Sequence, residues 1–477
     1  MTRSLVVALA LLTGVANAAP TNEAALSFEA ARSLYHEKAD IFRADDARVA
    51  HAQHASDAAK WLGGPKVELA FKQIWGTKTV DLDTEGFPDI QLGQSLGQVV
   101  SNLPLPAQQA IAGIANQIRD LDIHFKTDID GPRLSLDAMW PIYTGGLIEA
   151  EKGLLRHRVD ETRAERDDRV NTMDVRLVSQ YWGVQLARSI EVLRQSVLAD
   201  QEAELKKAKR FEAKGLISKL ERMSVNVARD TAHRELIQAQ TQRSVAETEL
   251  ARSLRQEEVP PLSTPLFILT GNLGTLSEWL DRAQRYSPVL QRLNALRAQA
   301  DEGVKAAGAA FKPKVFAFGS KNFIKHYLSL PEPDWIAGIG VTFTLWSDRD
   351  RLEKMRSAQS MVTSADAARS EAINQINTAV EVAFLKVNQM RDEYLLTASN
   401  VEFARENLRL REKAFSEGLS TATDVDTARS KLLAAELSRR VAAYQFVVSW
   451  AMLHATSGTM PDFLNTLTRP DFVALNR

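Results

Sequence analysis

Two glycines 203 residues apart restrict this chain more than any other feature. Gly215 and Gly418 each interrupt a long helix-forming stretch, in the patterns Phe211-x3-Gly215-Leu216-x-Ser218 and Phe415-x2-Gly418-Leu419-Ser420-Thr421-x2-Asp424-Val425. Glycine accepts the positive φ that ends one helix, and a following Ser or Thr caps the next. Each pattern therefore predicts a sharp helix-turn-helix tip, with Ser420 or Thr421 as the cap in the second. Tyr143 and Trp346 each close an apolar, strand-like run, and they too are 203 residues apart. One offset shared by two kinds of element predicts an internal duplication.

The chain divides accordingly. Residues 1–18 read as a signal peptide: Arg3 is the basic end, Leu5 to Leu12 the apolar core, and Ala16-Asn17-Ala18 the small-x-small cleavage site. Residues 19–258 form the first repeat, with a helix over 24–62, strands at about 66–75 and 133–142, a tip near 215 and a helix from Ser218 to about Glu258. The strands rest on period-two alternation, as in Val67-Glu68-Leu69-Ala70-Phe71-Lys72. Residues 76–130 read as an elaborated loop with a short helix near 106–119. Residues 259–275 hold three prolines and two glycines and read as a linker. Residues 276–458 form the second repeat, with a helix over 276–311, strands at about 314–320 and 336–346, and a tip near 418. Its inter-strand loop is about 45 residues shorter than its counterpart. Residues 459–477 are a short, partly irregular tail.

Between strand and tip, residues 147–214 contain no proline and predict a helix of about 100 Å. Residues 349–417 predict another. The latter carries a four-three seam at positions 380, 384, 387, 391, 394, 398, 401, 405 and 408. The last helix carries one through Ala428, Leu432, Ala435, Arg439, Ala442, Phe446, Ser449 and Leu453, with a second stripe through Leu433, Leu437, Tyr444, Val447 and Ala451. Two adjacent seams suit a helix with a neighbour on each side. The shorter helices of each half, stacked end to end, match the long one.

Composition narrows the function. The formal charge is −1, which argues against a nucleic-acid binder with its basic face. There is no cysteine, hence no disulfide, zinc thiolate or lipidated N-terminal cysteine. No stretch after the leader has the eighteen or so apolar residues of a membrane helix. An exported chain of this kind is either soluble in the periplasm or built on outer-membrane strands. Four strands with an apolar face cannot stand alone in lipid, because two edges would expose unpaired N–H and C=O groups. The smallest spanning barrels have about eight strands, so several copies must share one.

These features together resemble the TolC-type outer-membrane efflux channel family over essentially the whole mature chain. The resemblance rests on the two-fold repeat, the strand-loop-strand pairs and the two tip patterns. It implies a mainly helical fold with a small β part: a homotrimer in which a twelve-stranded transmembrane β-barrel, anchored in outer-membrane lipid, continues into a long periplasmic α-barrel. It implies a passive exit duct, with a periplasmic adaptor and an inner-membrane transporter docking at the tips. It places Asp424, six residues after Gly418, in an acidic ring at the periplasmic gate, with Glu221 as the first-repeat equivalent. A second acid expected three residues later is Thr427 here. Asp424 also reads simply as an acid favoured by a helix N-terminus. Gly215, Leu216, Ser218, Gly418, Leu419 and Ser420 become candidates for adaptor contact, although the glycines are also explained by the turn alone. Trp75, Trp140, Trp335 and Trp346, at or near strand ends, read as a membrane-interface belt or as packing beside the helices.

Other chemistry finds little support. His51 and His54 are three apart on a helix, with no third metal ligand near in sequence. No phosphate loop, Gly-x-Ser-x-Gly elbow or His-Glu-x-x-His occurs. The expectation is a non-enzyme without cofactor or metal and with no nucleic-acid partner. Two alternatives remain: an exit duct for type I protein secretion, and a soluble periplasmic coiled-coil adaptor.

Overall fold

The computed structural model describes residues 25–82, 123–324, 333–346 and 350–475. The expected signal peptide (1–18) and the short helix near 106–119 lie outside them. The chain divides into two compact units: Met1–Ala59, Lys152–Gly303 and Arg356–Arg477 form one, Lys60–Glu151 and Val304–Met355 the other.

The first unit is helical. It contains α1 (Phe28–Lys38) and α2 (Asp40–Ala59), most of α3 (Leu147–Ala213), then α4 (Lys219–Ser253), α5 (Leu276–Tyr286) and most of α6 (Pro288–Ala309), and finally most of α7 (Arg351–Ser416) and α8 (Ala422–Thr456). Both helices expected over 24–62 and 276–311 are broken. In the second, Ser287 is extended and Pro288 restarts the helix, as a residue without N–H and with fixed φ favours. In the first, Ala39 is extended although no proline follows. Tyr35 and Phe42 pack edge to face across the break, ring centroids 5.3 Å apart, so tertiary packing overrides a helix-forming sequence. Ala39 and Ser287 are 248 residues apart, as are the starts of α1 and α5.

Helix lengths match as stacked columns require. α1 (11 residues), α2 (20) and α4 (35) together nearly equal α3 (67), and α5 (11), α6 (22) and α8 (35) nearly equal α7 (66). Each long helix is about 100 Å.

The core lies where the shorter helices meet. Phe28 packs on Trp182 at 4.5 Å and on Tyr181 at 5.4 Å. The polar ends of these rings are satisfied: Trp182 Nε1 donates to Pro265 O at 2.9 Å and Tyr181 OH to Leu26 O at 2.7 Å. Segments expected to be linker and tail contribute directly. β3 (Phe267–Leu269) pairs antiparallel with β6 (Phe472–Ala474), and all three β3 residues are buried. Phe267 stacks on Phe472 at 4.8 Å. Three-residue strands are too short to show a period, which is why both segments read as irregular.

The seam of α7 also differs from expectation. The buried row is Val380, Ala383, Val387, Met390, Tyr394, Thr397, Val401 and Ala404. Every second position lies one residue earlier than its expected counterpart. Sequence alone favours Phe384 over Ala383, yet Ala383 is buried and Phe384 packs at the margin.

The second unit carries a four-stranded antiparallel sheet of β1 (Lys66–Leu82), β2 (Ile123–Tyr143), β4 (Lys314–Asn322) and β5 (Trp335–Thr342), in the order β1-β2-β4-β5. The first hairpin runs well beyond the expected ends, reaching Leu82 opposite Ile123. Register separates two faces. Val67, Leu69 and Phe71 oppose Ala138, Leu136 and Leu134, while Ala317 and Val315 oppose Ile339 and Val341. On the other face Glu68 opposes Asp137, Lys72 opposes Arg133, and Asp137 opposes Ser320. The apolar face is bare: Leu69, Phe71, Ile339 and Val341 are each at least 66% exposed. Among the described residues, β1 and β5 each have one partner strand. No described helix is long and apolar enough to cross a membrane.

Candidate functional site

The two helix turns are built alike. After α3, Gly215 takes φ +69° and Leu216 N donates to Phe211 O at 2.9 Å. Ser218 then caps α4. Its Oγ accepts from Glu221 N at 3.2 Å, while Glu221 Oε2 accepts from Ser218 N at 2.7 Å and Oγ at 2.9 Å. This reciprocal box satisfies N–H groups that a helix start leaves free. After α7, Gly418 takes φ +77° and Leu419 N donates to Ala414 O at 2.8 Å. Thr421, rather than Ser420, caps α8: its Oγ1 accepts from Asp424 N at 3.2 Å. Asp424 Oδ2 accepts from Thr421 N at 3.0 Å, Thr421 Oγ1 at 2.8 Å and Ser420 Oγ at 3.2 Å.

These bonds explain the electrostatics. The Ser218 backbone N–H and then its hydroxyl hold the Glu221 carboxyl below its ordinary pKa. The Thr421 backbone N–H, then the Thr421 and Ser420 hydroxyls, do the same for Asp424. Both acids are exposed and ionised at neutral pH. The structure thus gives each a structural duty as a cap and leaves its charge facing solvent. Leu216 and Leu419 are bare, at 66% and 79% exposure. Ser218 and Ser420 are bound into the caps.

Residues 279–459 match the outer membrane efflux protein family, spanning α5 to the end of α8. The chain carries an outer membrane efflux protein domain. No curated protein matches the chain as a sequence relative. Solved structures match over nearly its full length. A membrane protein from Pseudomonas aeruginosa superposes at TM-score 0.71 with 13% identity, covering 90% of each chain. The Vibrio cholerae outer membrane protein VceC gives 0.67 and 14%, covering 91% of this chain and 96% of its own. The open state of the Neisseria gonorrhoeae outer membrane channel MtrE gives 0.68 and 16%, covering 91% and 89%. At these identities the likeness is one of fold.

In this efflux-protein fold the tryptophans fall on the sheet. Trp75, Trp140 and Trp335 share the apolar face, and Trp346 follows β5; all are at least half exposed. Trp140 Nε1 donates to Gly63 O at 2.9 Å.

Side chains that the sequence did not single out tie the helices together near the turns. Gln201 Nε2 on α3 donates to Asp426 Oδ1 on α8 at 2.8 Å, joining the two hairpins, while Arg429 Nη2 on α8 donates to Glu412 Oε1 on α7 at 2.9 Å within the second. The first pair has no local signal, since Gln201 and Asp426 are 225 residues apart. Among the described residues no group of three or more His, Asp or Glu is placed to hold a metal.

Proposed function

We propose that this chain is the outer-membrane exit duct of a tripartite efflux system, passing substrates outward from an inner-membrane transporter and a periplasmic adaptor. The observation that carries this reading is the sheet: four strands, one bare apolar face and, among the described residues, two unpartnered edges. Such a sheet is stable in hydrocarbon only when copies join edge to edge and close. Three copies supply twelve strands, a closed barrel of ordinary size for an outer membrane. The apolar face then meets lipid, with Trp75, Trp140, Trp335 and Trp346 near the interfaces, and the face of Glu68, Lys72, Arg133 and Asp137 lines the passage.

The helices support the same assembly. On α7, Val382, Leu385, Leu396, Phe403 and Leu410 are exposed and fall in one three-four phase, opposite the buried seam. On α4, Met223, Val227 and Ile237 do likewise. Stripes of this kind are seams awaiting a neighbour, and a second and third copy supply it. In the assembled ring Asp424 and Glu221 line the periplasmic end and favour cations. Gly215, Leu216, Ser218, Gly418, Leu419 and Ser420 form the surface the adaptor meets.

Cell-envelope fractionation tests the reading. The expected result is an outer-membrane species about three times the chain mass in detergent, as a closed barrel requires. A monomer or dimer washed out with the soluble periplasm would overturn it and favour a partner-binding protein with two helical arms.

A further inference from the structure

The two turns, so alike in backbone, differ sharply in charge. Residues 206–222 hold seven Lys and Arg against two Glu. The window at the same place in the second half, 409–425, holds three basic and three acidic residues. The chain as a whole is nearly neutral, so the first turn is a local excess. Two of its cations are spent: Arg222 pairs with Glu212 at 3.0 Å and Lys207 with Glu204 at 3.6 Å. Lys206, Lys209, Arg210, Lys214 and Lys219 are exposed and pair with no carboxylate among the described residues. Glu221, bound at Oε2 by the Ser218 cap, forms no ion pair with any of them, and its single charge leaves the turn strongly positive. At the second turn the charges balance in number, and two of them are paired: Arg409 grips Glu406 through both Nε and Nη2, and Arg429 takes Glu412.

Two large apolar side chains stand among the free cations. Leu216 and Leu220 are 66% and 76% exposed, one at the bend and one on the first turn of α4. A lone apolar knob within a ring of positive charge fits a notch in a folded protein whose rim is negative. The charges select and steer the partner, and the leucines supply the contact that excludes water.

We propose that the first turn, and not the second, is the electrostatic docking point of this chain, and that its occupant is an acidic surface on a periplasmic protein. The proposal deepens the duct reading, since that protein fills the adaptor's place, but the charge asymmetry stands on its own observations. The partner approaches with Asp and Glu facing Lys209, Lys214 and Lys219, and closes over Leu216. Leu419 lacks such a ring of cations and makes no charge-selective contact.

Photocrosslinking in cells that produce the full chain tests this. A benzophenone side chain replaces Leu216 in one variant and Leu419 in another, and each adduct is identified by mass spectrometry. At position 216 the expected adduct is a protein segment with an excess of Asp and Glu. Its yield falls about tenfold when Lys209→Glu, Lys214→Glu and Lys219→Glu are combined, as loss of a steering surface does. It is retained when the same lysines become Arg. The 419 adduct changes by less than about twofold under either set, since basic and acidic residues are equal in number around it. A neutral or basic segment at 216, a lipid adduct, no adduct, or a yield indifferent to charge reversal would each overturn the proposal. Planar-bilayer conductance of the same variants reports on the duct separately. Channels without an acidic adduct sink only the docking proposal, and an acidic adduct without channels sinks only the duct.

Discussion

Arg255 and Gly458 stand 203 residues apart and both hold positive φ, +55° and +73°. Each follows the C-terminus of a hairpin helix, α4 or α8, by two residues. Only the second half has glycine there. A Cβ at Gly458 would lie 2.3 Å from Tyr286 O, closer than any real contact.

Opposite effects therefore follow at the two positions. Gly458→Ala collides with backbone as well as adopting a disfavoured φ, and should cost well above the roughly 1–2 kcal/mol of the left-handed conformation alone. Arg255→Gly relieves that conformation and should stabilise by up to about 1 kcal/mol, because the Asp40 ion pair it removes is solvent-exposed. Thermal unfolding of both variants checks the signs. A stabilised Gly458→Ala would contradict the packing.

Cap and gate can be separated at the second turn. Asp424→Asn keeps a side chain that can accept from Thr421 while removing the charge, whereas Thr421→Ala breaks the box and leaves the charge. If Asp424 sets ion preference, single-channel recording should show weaker cation selectivity and weaker block by polyvalent cations in Asp424→Asn, with little change in Thr421→Ala. Hydrogen exchange at the start of α8 should show the reverse ranking. Identical selectivity in wild type and Asp424→Asn would reduce the residue to a cap.

His454 makes the core sensitive to acid. It is buried against Trp279 and Trp450, and its Nδ1 lies 3.0 Å from both Thr459 O and Thr459 Oγ1. Burial, aided by Arg282 and Arg469, lowers its pKa from 6.5 to about 4. The unfolded chain thus takes up this proton before the folded one. The contribution of the neutral ring is complete above pH 6.5 and is lost as pH falls toward 4, on the order of 3 kcal/mol in all. Urea midpoints across this window should fall in wild type and flatten in His454→Gln. Parallel curves for the two proteins would refute the assignment.

Phe403 tests the assembly without touching the core. It is 73% exposed in a single chain, on the face of α7 opposite Val401 and Ala404. Phe403→Glu should leave helix content intact and shift the detergent-solubilised mass toward one chain, because a charge placed in an apolar seam between copies is costly. An unchanged mass would remove α7 from the contact.

Much of this architecture was written in periodicities that survive without partners. The glycines at 215 and 418, the lengths of α3 and α7, and the alternation in β1 and β5 depend on near neighbours in sequence. Pro288 even marked one helix break, and the shared offset of 248 carries it to Ala39, where no local residue announces it. What stayed hidden depends on distant contacts. Ala383 outranks Phe384 in the α7 seam through burial against distant parts of the chain. The Gln201–Asp426 bond links residues that nothing nearby relates. The caps were legible as residue types, but the choice of Thr421 over Ser420 followed from which hydroxyl reached Asp424 N.

The pairing of Phe267–Leu269 with Phe472–Ala474 sets a schedule for the newborn polypeptide. Synthesis runs from the N-terminus, so β3 exists for some two hundred residues of growth before its partner is made. Throughout that interval an apolar strand edge waits inside an unfinished core, open to mispairing or to a chaperone's grip. The final few residues act as a clasp. A transcript cut short just before them would leave every α-helix encoded and the core of the helical unit unfastened.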